Sequence, residues 1–510
     1  MPPAASANLF ELIAERATER PDQAALETGD ATGLNYGGLI ERAGKAANAL
    51  RAFGVQPGDR IAAQVEKSTD MIVLYLASLS AGAALLPLNT AYTLAELEYF
   101  FSDAEPALTL VRPGALEEVR ALATRLGLGA VESLGAAREG TFAERIAAAP
   151  AEFATVERAP DDLAAILYTS GTTGRSKGAI LTHRNLASNA LALIDVWRFD
   201  ASDRLVHALP VFHVHGLFVA VNVALLSGAT IVFQPRFDPD AALAAMAKAT
   251  TFMGVPTYYT RLLEHPGLDP AACRAMRLFI SGSAPLLADT HAAWRERTGF
   301  AILERYGMTE TGMIASNPYE GERRASTVGF PLPGVSVRIA DTESGALLPP
   351  GEIGVVEVSG PNVFRGYWRM PEKTAQEFRQ DGFFITGDLG RFDEEGYLAI
   401  VGRAKDLVIS GGLNVYPKEI ETAIDAIEGV LESAVFGVPH VDLGEAVTAV
   451  VVARAGAEIS EAAILAALAG RLARFKTPKR AFVVASLPRN AMGKVQKQAL
   501  REAYRDIYRG

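Results

Sequence analysis

Short apolar runs alternate with alanine-rich stretches of helical spacing from about residue 20 to residue 320. Residues 60–65, 164–168 and 277–280 are typical of these runs, and each is short and apolar enough to form a buried β-strand. Strands that are separated by helices usually pair in parallel or mixed sheets, and the helices cover the faces of those sheets. The pattern therefore predicts an α/β fold class with helix-covered β-sheets.

The pattern changes in the last third of the chain. Between about residues 320 and 400 short strands are separated by many turns, as around residues 354–359, which predicts a small antiparallel β unit. Helices and strands then resume for about a hundred residues, the usual size of an independent domain. The predicted organisation is a large N-terminal domain over residues 1–404, which includes the small β unit, and a small α+β C-terminal domain over residues 405–510.

Two uncharged stretches, residues 71–88 and 205–235, approach the length of a membrane span. Serine, glycine, proline or histidine interrupts each of them, so each is interpreted as a buried helix that leads into a short strand. The N-terminus lacks the basic start and long apolar core of a secretory signal. The sequence therefore predicts no membrane span, and we expect a cytoplasmic protein without a membrane partner.

Composition narrows the range of partners. The chain has 49 lysines and arginines against 59 aspartates and glutamates, a net charge of −10, so nucleic acid and anionic membranes are poor partners. Cys273 is the single cysteine of the sequence, which excludes an intrachain disulfide and a multi-cysteine metal site. Small anions stay suitable ligands, because a local cluster of donors can bind one on an acidic protein. No obligate protein partner is predicted.

A loop rich in glycine, hydroxyl and lysine side chains follows the apolar run at residues 163–167. Its sequence over residues 168–178 is YTSGTTGRSKG. Backbone N–H groups and a cation in such a loop can surround a polyphosphate, although the Gly-Lys-Ser/Thr triplet of a Walker loop is missing. The alternative is a flexible surface turn. The predicted phosphate contacts are Thr169, Ser170, Gly171, Thr172, Thr173, Gly174 and Lys177.

The loop resembles the signature of the adenylate-forming superfamily, which includes acyl-CoA synthetases, luciferases and the adenylation domains of peptide synthetases. Similar motifs follow in that family's order: LPVFH at 209–213, RYGMTE at 305–310, TGD at 386–388, GRAKD at 402–406 and PRNAMGK at 488–494. The resemblance implies that the chain activates a carboxylic acid with ATP and Mg²⁺ to an acyl-adenylate and then transfers the acyl group to CoA. The acid, ATP and CoA are its expected small-molecule partners.

The resemblance also implies roles for individual residues. Lys494 is the mobile cation that bridges the carboxylate and the α-phosphate, and Glu310 holds Mg²⁺ beside Thr309, whose hydroxyl contacts phosphate. The implied nucleotide contacts are Tyr306, which stacks on adenine, Gly307, and the ribose ligands Asp388 and Arg403. Without the motifs, Lys494 reads as a solvated surface lysine, Glu310 as a helix-capping acid and Asp388 as a turn residue.

The C-terminal domain is expected to swing between two poses at the hinge residue Lys405. One pose delivers Lys494 for adenylation. The other brings Gly411 and Gly412 past a channel for the pantetheine arm of CoA, where the missing Cβ atoms allow a close approach. Lys476 is a further candidate contact for a CoA phosphate. An ordinary turn between two strands is the alternative reading of the hinge region.

The candidate acyl pocket contains a lone charge. Arg261 is the single charged side chain in residues 252–263, and in the family this segment opens the helix that lines the acyl pocket. Because a buried arginine without a counter-ion is costly, we expect Arg261 to meet an anion. A second carboxylate on the substrate fits a planar guanidinium. The alternative is that Arg261 reaches the surface or pairs with Glu264.

Three segments resemble malonate–CoA ligases in particular: residues 87–94, 253–263 and 280–290. That closer resemblance implies malonate, or its relative methylmalonate, as the acid. Further candidates in the acyl site are His207, Ser281 and Ser283 as donors to a short polar acid, and His213, which resembles the residue that gates the site. Each of the three donors has a satisfied core group as its alternative.

Other functions stay open at this point. A synthetase for a short or medium monocarboxylic acid shares every motif, as does a luciferase-like oxygenase, although a polar pocket suits a large aromatic substrate poorly. A peptide-synthetase adenylation domain would need an anion near His213 for the amino group of its substrate. A non-enzymatic adenylate-binding protein would be expected to lack Lys494 or Glu310, and both are present.

Overall fold

The computed structural model describes residues 7–169, 176–410, 413–469, 471–490 and 493–508. The α-helices are α1 (Leu9–Glu19), α2 (Tyr36–Ala52), α3 (Thr69–Ser80), α4 (Leu94–Ala104), α5 (Leu116–Leu126), α6 (Thr141–Ala148), α7 (His183–Trp197), α8 (Asn222–Ser227), α9 (Pro239–Met246), α10 (Pro256–Glu264), α11 (Ala288–Thr298), α12 (Pro371–Gln376), α13 (Pro417–Asp425), α14 (Glu461–Leu468) and α15 (Lys497–Ala503). Short 3₁₀ turns cover Pro113–Ala115 and Ala404–Asp406, and a π-helix covers Val214–Val221.

The β-strands are distributed along the whole described part of the chain. They are β1 (Ala24–Glu27), β2 (Leu34–Asn35), β3 (Arg60–Gln64), β4 (Ala84–Pro87), β5 (Leu108–Val111), β6 (Ala130–Ser133), β7 (Leu163–Thr169), β8 (Lys177–Thr182), β9 (Arg204–His207), β10 (Thr230–Phe233), β11 (Thr251–Gly254), β12 (Leu278–Ser281), β13 (Leu303–Met308), β14 (Gly312–Ser316), β15 (Phe330–Pro331), β16 (Ser336–Ala340), β17 (Gly354–Ser359), β18 (Gly366–Tyr367), β19 (Phe384–Phe392), β20 (Leu398–Arg403), β21 (Val408–Ser410), β22 (Leu413–Val415), β23 (Val430–His440), β24 (Gly444–Ala453) and β25 (Arg480–Val484).

Two large mixed sheets form the N-terminal part. Their strand orders are β15-β14-β13-β12-β11-β9-β10-β1-β2 and β18-β8-β7-β4-β3-β5-β6. Neighbouring strands from β13 across to β1 run parallel in the first sheet, as do those from β7 to β6 in the second. The alternation of strands and helices along the sequence therefore gives the α/β fold that was predicted, because parallel neighbours require helical crossovers.

Helix α3 shows why the apolar stretch at residues 71–88 belongs to the core. Ser68 caps the helix by accepting a hydrogen bond from the Met71 N–H, and all twelve residues of α3 are buried. Its side chains share one hydrophobic core with those of both large sheets, as expected for a helix that is apolar on every face. Among the described residues, no helix is long and apolar enough to cross a membrane.

The later strands form two smaller sheets. Strands β16, β17, β19 and β20 pair antiparallel, which confirms the small β unit. Strands β21 to β25 form a separate sheet, and α13 and α14 share a hydrophobic core with it. The 3₁₀ turn Ala404–Asp406 connects these two sheets along the chain. The domain boundary after residue 404 stays a prediction that this arrangement supports.

Candidate functional site

Polar side chains gather where parallel strands of the first sheet end. His207 ends β9, Ser281 ends β12, and Arg305 lies on β13 next to it. Strands β9 and β11 pair in register at His207 and Met253, and β12 and β13 pair at Ser281. The carboxyl ends of these strands therefore open at one edge, the usual position of a ligand site in an open α/β sheet.

Tyr306, Asp388 and Arg403 form one cluster at this edge. The Tyr306 hydroxyl donates to Asp388 Oδ2 over 2.5 Å, and Arg403 Nε lies 2.7 Å from Asp388 Oδ1. Asp388 is buried, and its charge raises the pKa of Arg403 above its ordinary value. The structure thus brings three of the predicted nucleotide contacts together, although adenine stacking and ribose binding stay predictions. Gly307 follows Tyr306 where backbone packs closely, because a Cβ there would lie 2.1 Å from the Gly312 carbonyl oxygen.

A second cluster connects the predicted magnesium and phosphate residues. Glu310 is buried, and its Oε1 lies 3.0 Å from the Tyr367 hydroxyl and 3.4 Å from Thr169 Oγ1. The Tyr367 hydroxyl also lies 2.9 Å from Glu377 Oε2. Lys177 Nζ donates to Glu377 Oε1 over 3.0 Å and sits 4.0 Å from the centre of the Tyr367 ring. Sequence analysis identified neither Tyr367 nor Glu377.

The residues around Glu310 fit a magnesium ion that comes with a nucleotide. Burial raises the pKa of Glu310 above its ordinary value, and this effect outweighs the opposing charges of Lys177 and Arg403. Within the described residues no group of three or more acidic, histidine or cysteine side chains could hold a metal ion alone. Mg²⁺ in nucleotide enzymes usually takes one or two carboxylates and completes its shell with phosphates and water, and a single buried carboxylate suits that arrangement. Thr309 lies half-buried in the same turn.

Lys494 reaches the nucleotide cluster from the C-terminal domain. By surface area the side chain is exposed, yet burial within the cleft walls, together with the nearby Arg403 charge, lowers its pKa to about 8. The preceding residue, Gly493, has a positive φ of 72°, and a Cβ there would lie 3.2 Å from Thr257 on α10. An exposed ion pair of 3.3 Å between Arg454 and Asp289 also joins the two domains. The structure therefore holds the lysine turn against the helix of the predicted acyl pocket.

The expectation that Arg261 is buried is wrong. Its side chain is exposed, and no ion pair joins it to Glu264 within the described part of the chain. Arg261 nevertheless follows Thr257 by four residues on α10, which places the two on the same helix face. Since a Cβ built on Gly493 would lie 3.2 Å from Thr257, that face is directed toward Gly493, the neighbour of Lys494. The role of Arg261 as a substrate contact stays a prediction.

Arg305 is the buried arginine that sequence analysis missed in this role. Its residue is 4% exposed, and Nε and Nη2 are buried without a hydrogen-bond partner among the described residues. Burial lowers the pKa of Arg305 to about 9, so the guanidinium is still charged at neutral pH. A Cβ added at Gly282 would lie 2.4 Å from its Cζ. A buried, unpaired guanidinium lowers the stability of the folded protein, so its presence indicates a site for an anion.

Other buried polar groups surround Arg305. The Ser283 hydroxyl lies 3.2 Å from His215 Nδ1, and burial, together with the nearby Arg305 charge, keeps the pKa of His215 well below its ordinary value. His207 Nε2 lies 2.8 Å from the Gly216 carbonyl oxygen, so that nitrogen is engaged. The buried atoms without a hydrogen-bond partner among the described residues include Ser281 Oγ, His207 Nδ1 and His215 Nε2. Orphaned groups of this kind call for a polar ligand or water.

His213 immediately precedes the π-helix that carries His215. The π-helix Val214–Val221 has no counterpart in the sequence prediction, which expected an ordinary buried helix in this stretch. Rare π-helical turns recur at functional sites because they redirect side chains. Burial lowers the pKa of His213 to about 4, so its imidazole is neutral at physiological pH. Its gating role stays a prediction.

The remaining predicted residues have mixed outcomes. Lys405 lies in the 3₁₀ turn Ala404–Asp406, a position compatible with a hinge, and its hinge role stays a prediction. Lys476 Nζ pairs with both carboxylate oxygens of Glu419, at 2.7 and 2.8 Å, so it is engaged within its own domain in this pose. The predicted contacts Ser170, Gly171, Thr172, Thr173, Gly174, Gly411 and Gly412 lie outside the described residues.

Comparison with known proteins identifies the class to which this fold and site belong. The AMP-binding enzyme family matches residues 13–368, and the C-terminal domain of AMP-binding enzymes matches residues 419–494. The chain belongs to the AMP-binding enzyme family. The two clusters around Asp388 and Glu310 are the candidate nucleotide site of this family member, and the roles of their residues stay predictions.

Three individual relatives are similar to this chain over most of its length. A feruloyl-CoA synthase of Amycolatopsis is 36% identical over 96% of this chain and 97% of that protein. A malonate–CoA ligase of Arabidopsis thaliana is 35% identical over 90% of this chain and 80% of that protein. The crystal structure of ATP-bound MatB from Rhodopseudomonas palustris superposes with a TM-score of 0.97 at 58% identity, and covers 99% of this chain and all of that one.

Proposed function

We propose that the chain is an ATP-dependent acid–CoA ligase that converts malonate and CoA to malonyl-CoA, AMP and pyrophosphate. The observation that carries the choice of acid is the buried Arg305 guanidinium, whose Nε and Nη2 have no hydrogen-bond partner among the described residues. A second carboxylate on the substrate would supply the missing acceptor. The malonate–CoA ligase of Arabidopsis thaliana among the relatives supports the same acid.

The first half-reaction joins the acid to the α-phosphorus of ATP. Nucleophile and electrophile are both negative, so the site must position them and neutralise charge. Lys494, in the turn held against α10, supplies a cation where the carboxylate meets the α-phosphate. Lys177 supplies a second cation toward the departing pyrophosphate, and Glu310 is the residue that would hold Mg²⁺, which neutralises triphosphate charge. Asp388 fixes the ribose through its two carboxylate oxygens.

The second half-reaction transfers the acyl group to the CoA thiol. In the present pose Gly493 lies so near Thr257 that a Cβ built on it would be 3.2 Å away, and Lys494 would have to leave before a thiol could approach. Rotation of the small domain at Lys405 removes Lys494 and brings Gly411 and Gly412 to the site. Lys476 must also leave Glu419 before it can contact a CoA phosphate.

The pocket selects an acid that can pair with the buried Arg305 guanidinium. Malonate places one carboxylate on Arg305 and leaves the other to attack ATP beside Lys494, whereas acetate leaves the Arg305 charge buried without a partner. Breaking a buried, charged contact costs about 3–5 kcal/mol, and sites built for a polar group reject analogues that lack it. We expect kcat/KM for malonate to exceed that for acetate by roughly 10²–10³. A bulky aromatic acid such as ferulate would meet the same orphaned groups.

The test is a substrate panel read by coupled AMP release. Malonate, methylmalonate, sulfoacetate, acetate, butyrate and ferulate are compared at equal concentration with ATP, Mg²⁺ and CoA, and the thioester product is identified by mass. The proposal expects the dianionic acids to lead and malonyl-CoA to form. Butyrate or ferulate used as well as malonate would contradict the choice of acid while leaving an acid–CoA ligase. No AMP release with any acid would favour the non-enzymatic adenylate-binding alternative.

A further inference from the structure

Glu377 lies between two residues of the nucleotide site that are far apart in the sequence. It follows α12 directly, and its Oε1 accepts from Lys177 Nζ over 3.0 Å while its Oε2 lies 2.9 Å from the Tyr367 hydroxyl. The Tyr367 hydroxyl continues to Glu310 Oε1 over 3.0 Å. One carboxylate therefore joins, through one phenol, the phosphate-facing lysine and the carboxylate assigned to magnesium.

We propose that Glu377 is a positioning residue for adenylation, which holds Lys177 directly and orients Glu310 through Tyr367. This inference rests on the proposed use of ATP by the same site. Glu377 need not touch the nucleotide, because it acts on the two groups that do.

The geometry gives Lys177 little freedom. Its side chain is 11% exposed, its Nζ sits 4.0 Å from the centre of the Tyr367 ring, and its ammonium donates to Glu377. A lysine has a flexible four-carbon stem, and holding it in one rotamer before the ligand arrives removes an entropy cost from binding. Without Glu377 the ring contact alone would have to hold the ammonium in place.

Glu310 depends on the same arrangement from the other side. Its Oε1 is contacted by the Tyr367 hydroxyl at 3.0 Å and more distantly by Thr169 at 3.4 Å. Tyr367 is itself fixed by Glu377, and burial among these two carboxylates keeps the phenol protonated. Loss of Glu377 should therefore loosen both the cation and the carboxylate that meet the triphosphate.

Glu377 also pairs with Lys373 four residues earlier, with 2.8 Å between Lys373 Nζ and Glu377 Oε1. Lys373 is more exposed than Lys177, at 33%, and solvent-exposed pairs of this spacing contribute little. The ion pair with Lys373 therefore offers a control for loss of charge pairing at Glu377, and the exposed Glu372 on the same helix offers a control for loss of an acidic charge.

The experiment compares Glu377→Gln with Glu372→Gln and Lys373→Met in the full-length protein. Calorimetry measures the Kd for α,β-methylene-ATP with Mg²⁺, and the two half-reactions are measured separately as malonate-dependent ATP–pyrophosphate exchange and as thioester formation from supplied malonyl-AMP. We expect Glu377→Gln to weaken nucleotide binding and exchange by about tenfold and to change thioester formation less than twofold. Both controls should stay within twofold of the wild type in every measurement. Tyr367→Phe, which keeps the ring over Lys177, should raise the Mg²⁺ concentration needed for half-maximal binding.

Wild-type nucleotide affinity in Glu377→Gln would overturn the inference, as would an equal loss of both half-reactions, which is the result of general structural damage. If Glu377→Gln does not fold, Glu377→Asp takes its place, because it keeps the charge but withdraws the carboxylate by one methylene; the same split is then expected in weaker form. The binding measurement needs no acid substrate. If the malonate assignment is wrong, the wild type will be inactive with malonate. The difference in nucleotide affinity between the wild type and Glu377→Gln will still be measurable.

Discussion

Replacement of Arg305 by methionine should stabilise the ligand-free protein and remove its use of malonate. Methionine matches the length of the arginine stem and adapts to an irregular apolar space. The substitution removes a buried charge whose Nε and Nη2 have no hydrogen-bond partner among the described residues. The same charge is the group proposed to bind the second carboxylate, so stability and activity should change in opposite directions.

The size of the effect follows from the burial of the guanidinium. Burial lowers the pKa of Arg305 from 12.5 to about 9, and at 1.36 kcal/mol per pKa unit this corresponds to about 5 kcal/mol. Replacing buried charged groups with apolar ones of similar volume has stabilised proteins by about 1–4 kcal/mol. We therefore expect the free energy of unfolding of the large domain to rise by about 1–4 kcal/mol.

Urea unfolding followed by tryptophan fluorescence measures this change. All three tryptophans, Trp197, Trp294 and Trp368, precede residue 404, so their emission reports on the large domain separately from the small one. Arg323→Met is the matched control, because the Arg323 guanidinium donates to the carbonyls of Ala301, Tyr319 and Pro318 over 2.8 to 3.3 Å. Loss of those donors should lower stability by about 1–3 kcal/mol.

The reasoning is refuted if Arg305→Met is destabilised as much as Arg323→Met and still uses malonate at the wild-type rate. That outcome would mean that Arg305 is satisfied in the native protein and has no part in substrate binding. If Arg305→Met loses malonate use and is also less stable, the role of Arg305 in substrate binding stands. Only the argument that its buried charge destabilises the protein is then refuted.

Three further predictions concern the other parts of the site. The pKa of Lys494 is lowered to about 8 by burial and by Arg403, so the cationic form is lost as pH rises through that value. ATP–pyrophosphate exchange should therefore fall above about pH 8, and Lys494→Arg should move this fall to higher pH. Gly282→Ala places a Cβ 2.4 Å from the Arg305 guanidinium carbon; it should raise KM for malonate at least tenfold and leave the Kd for ATP unchanged, and an unchanged KM would count against that packing. Thr257→Leu should obstruct the Gly493 turn and slow pyrophosphate exchange while sparing thioester formation from malonyl-AMP; equal slowing of both steps would contradict the docking role.

Much of the fold could be predicted because local patterning decides it. The all-buried helix α3 and the strand β4 form from one apolar stretch. The serine, glycine and proline residues within that stretch indicate where the helix ends and where the strand follows. Strand β17 coincides with the predicted run at residues 354–359. The π-helix Val214–Val221 could not be predicted in this way, because its apolar composition is equally suited to an ordinary helix.

The acyl site shows where sequence reasoning failed. A lone charge in an apolar segment pointed to Arg261, but that segment forms an amphipathic helix with exposed positions, and Arg261 occupies one of them. Arg305 lies in a motif already assigned to the nucleotide, and its burial depends on the backbone of Gly282, which approaches from the neighbouring strand's end. Lys177 and Glu377 are 200 residues apart in the chain, and no local pattern predicts that contact.

The most direct test of the central claim is the ratio of kcat/KM for malonate to kcat/KM for acetate, measured in the wild type and in Arg305→Met. If the buried guanidinium recognises the second carboxylate, the wild-type ratio is roughly 10²–10³ and the variant's ratio approaches one. A ratio that is unchanged by the substitution would show that the acid is selected elsewhere in the protein.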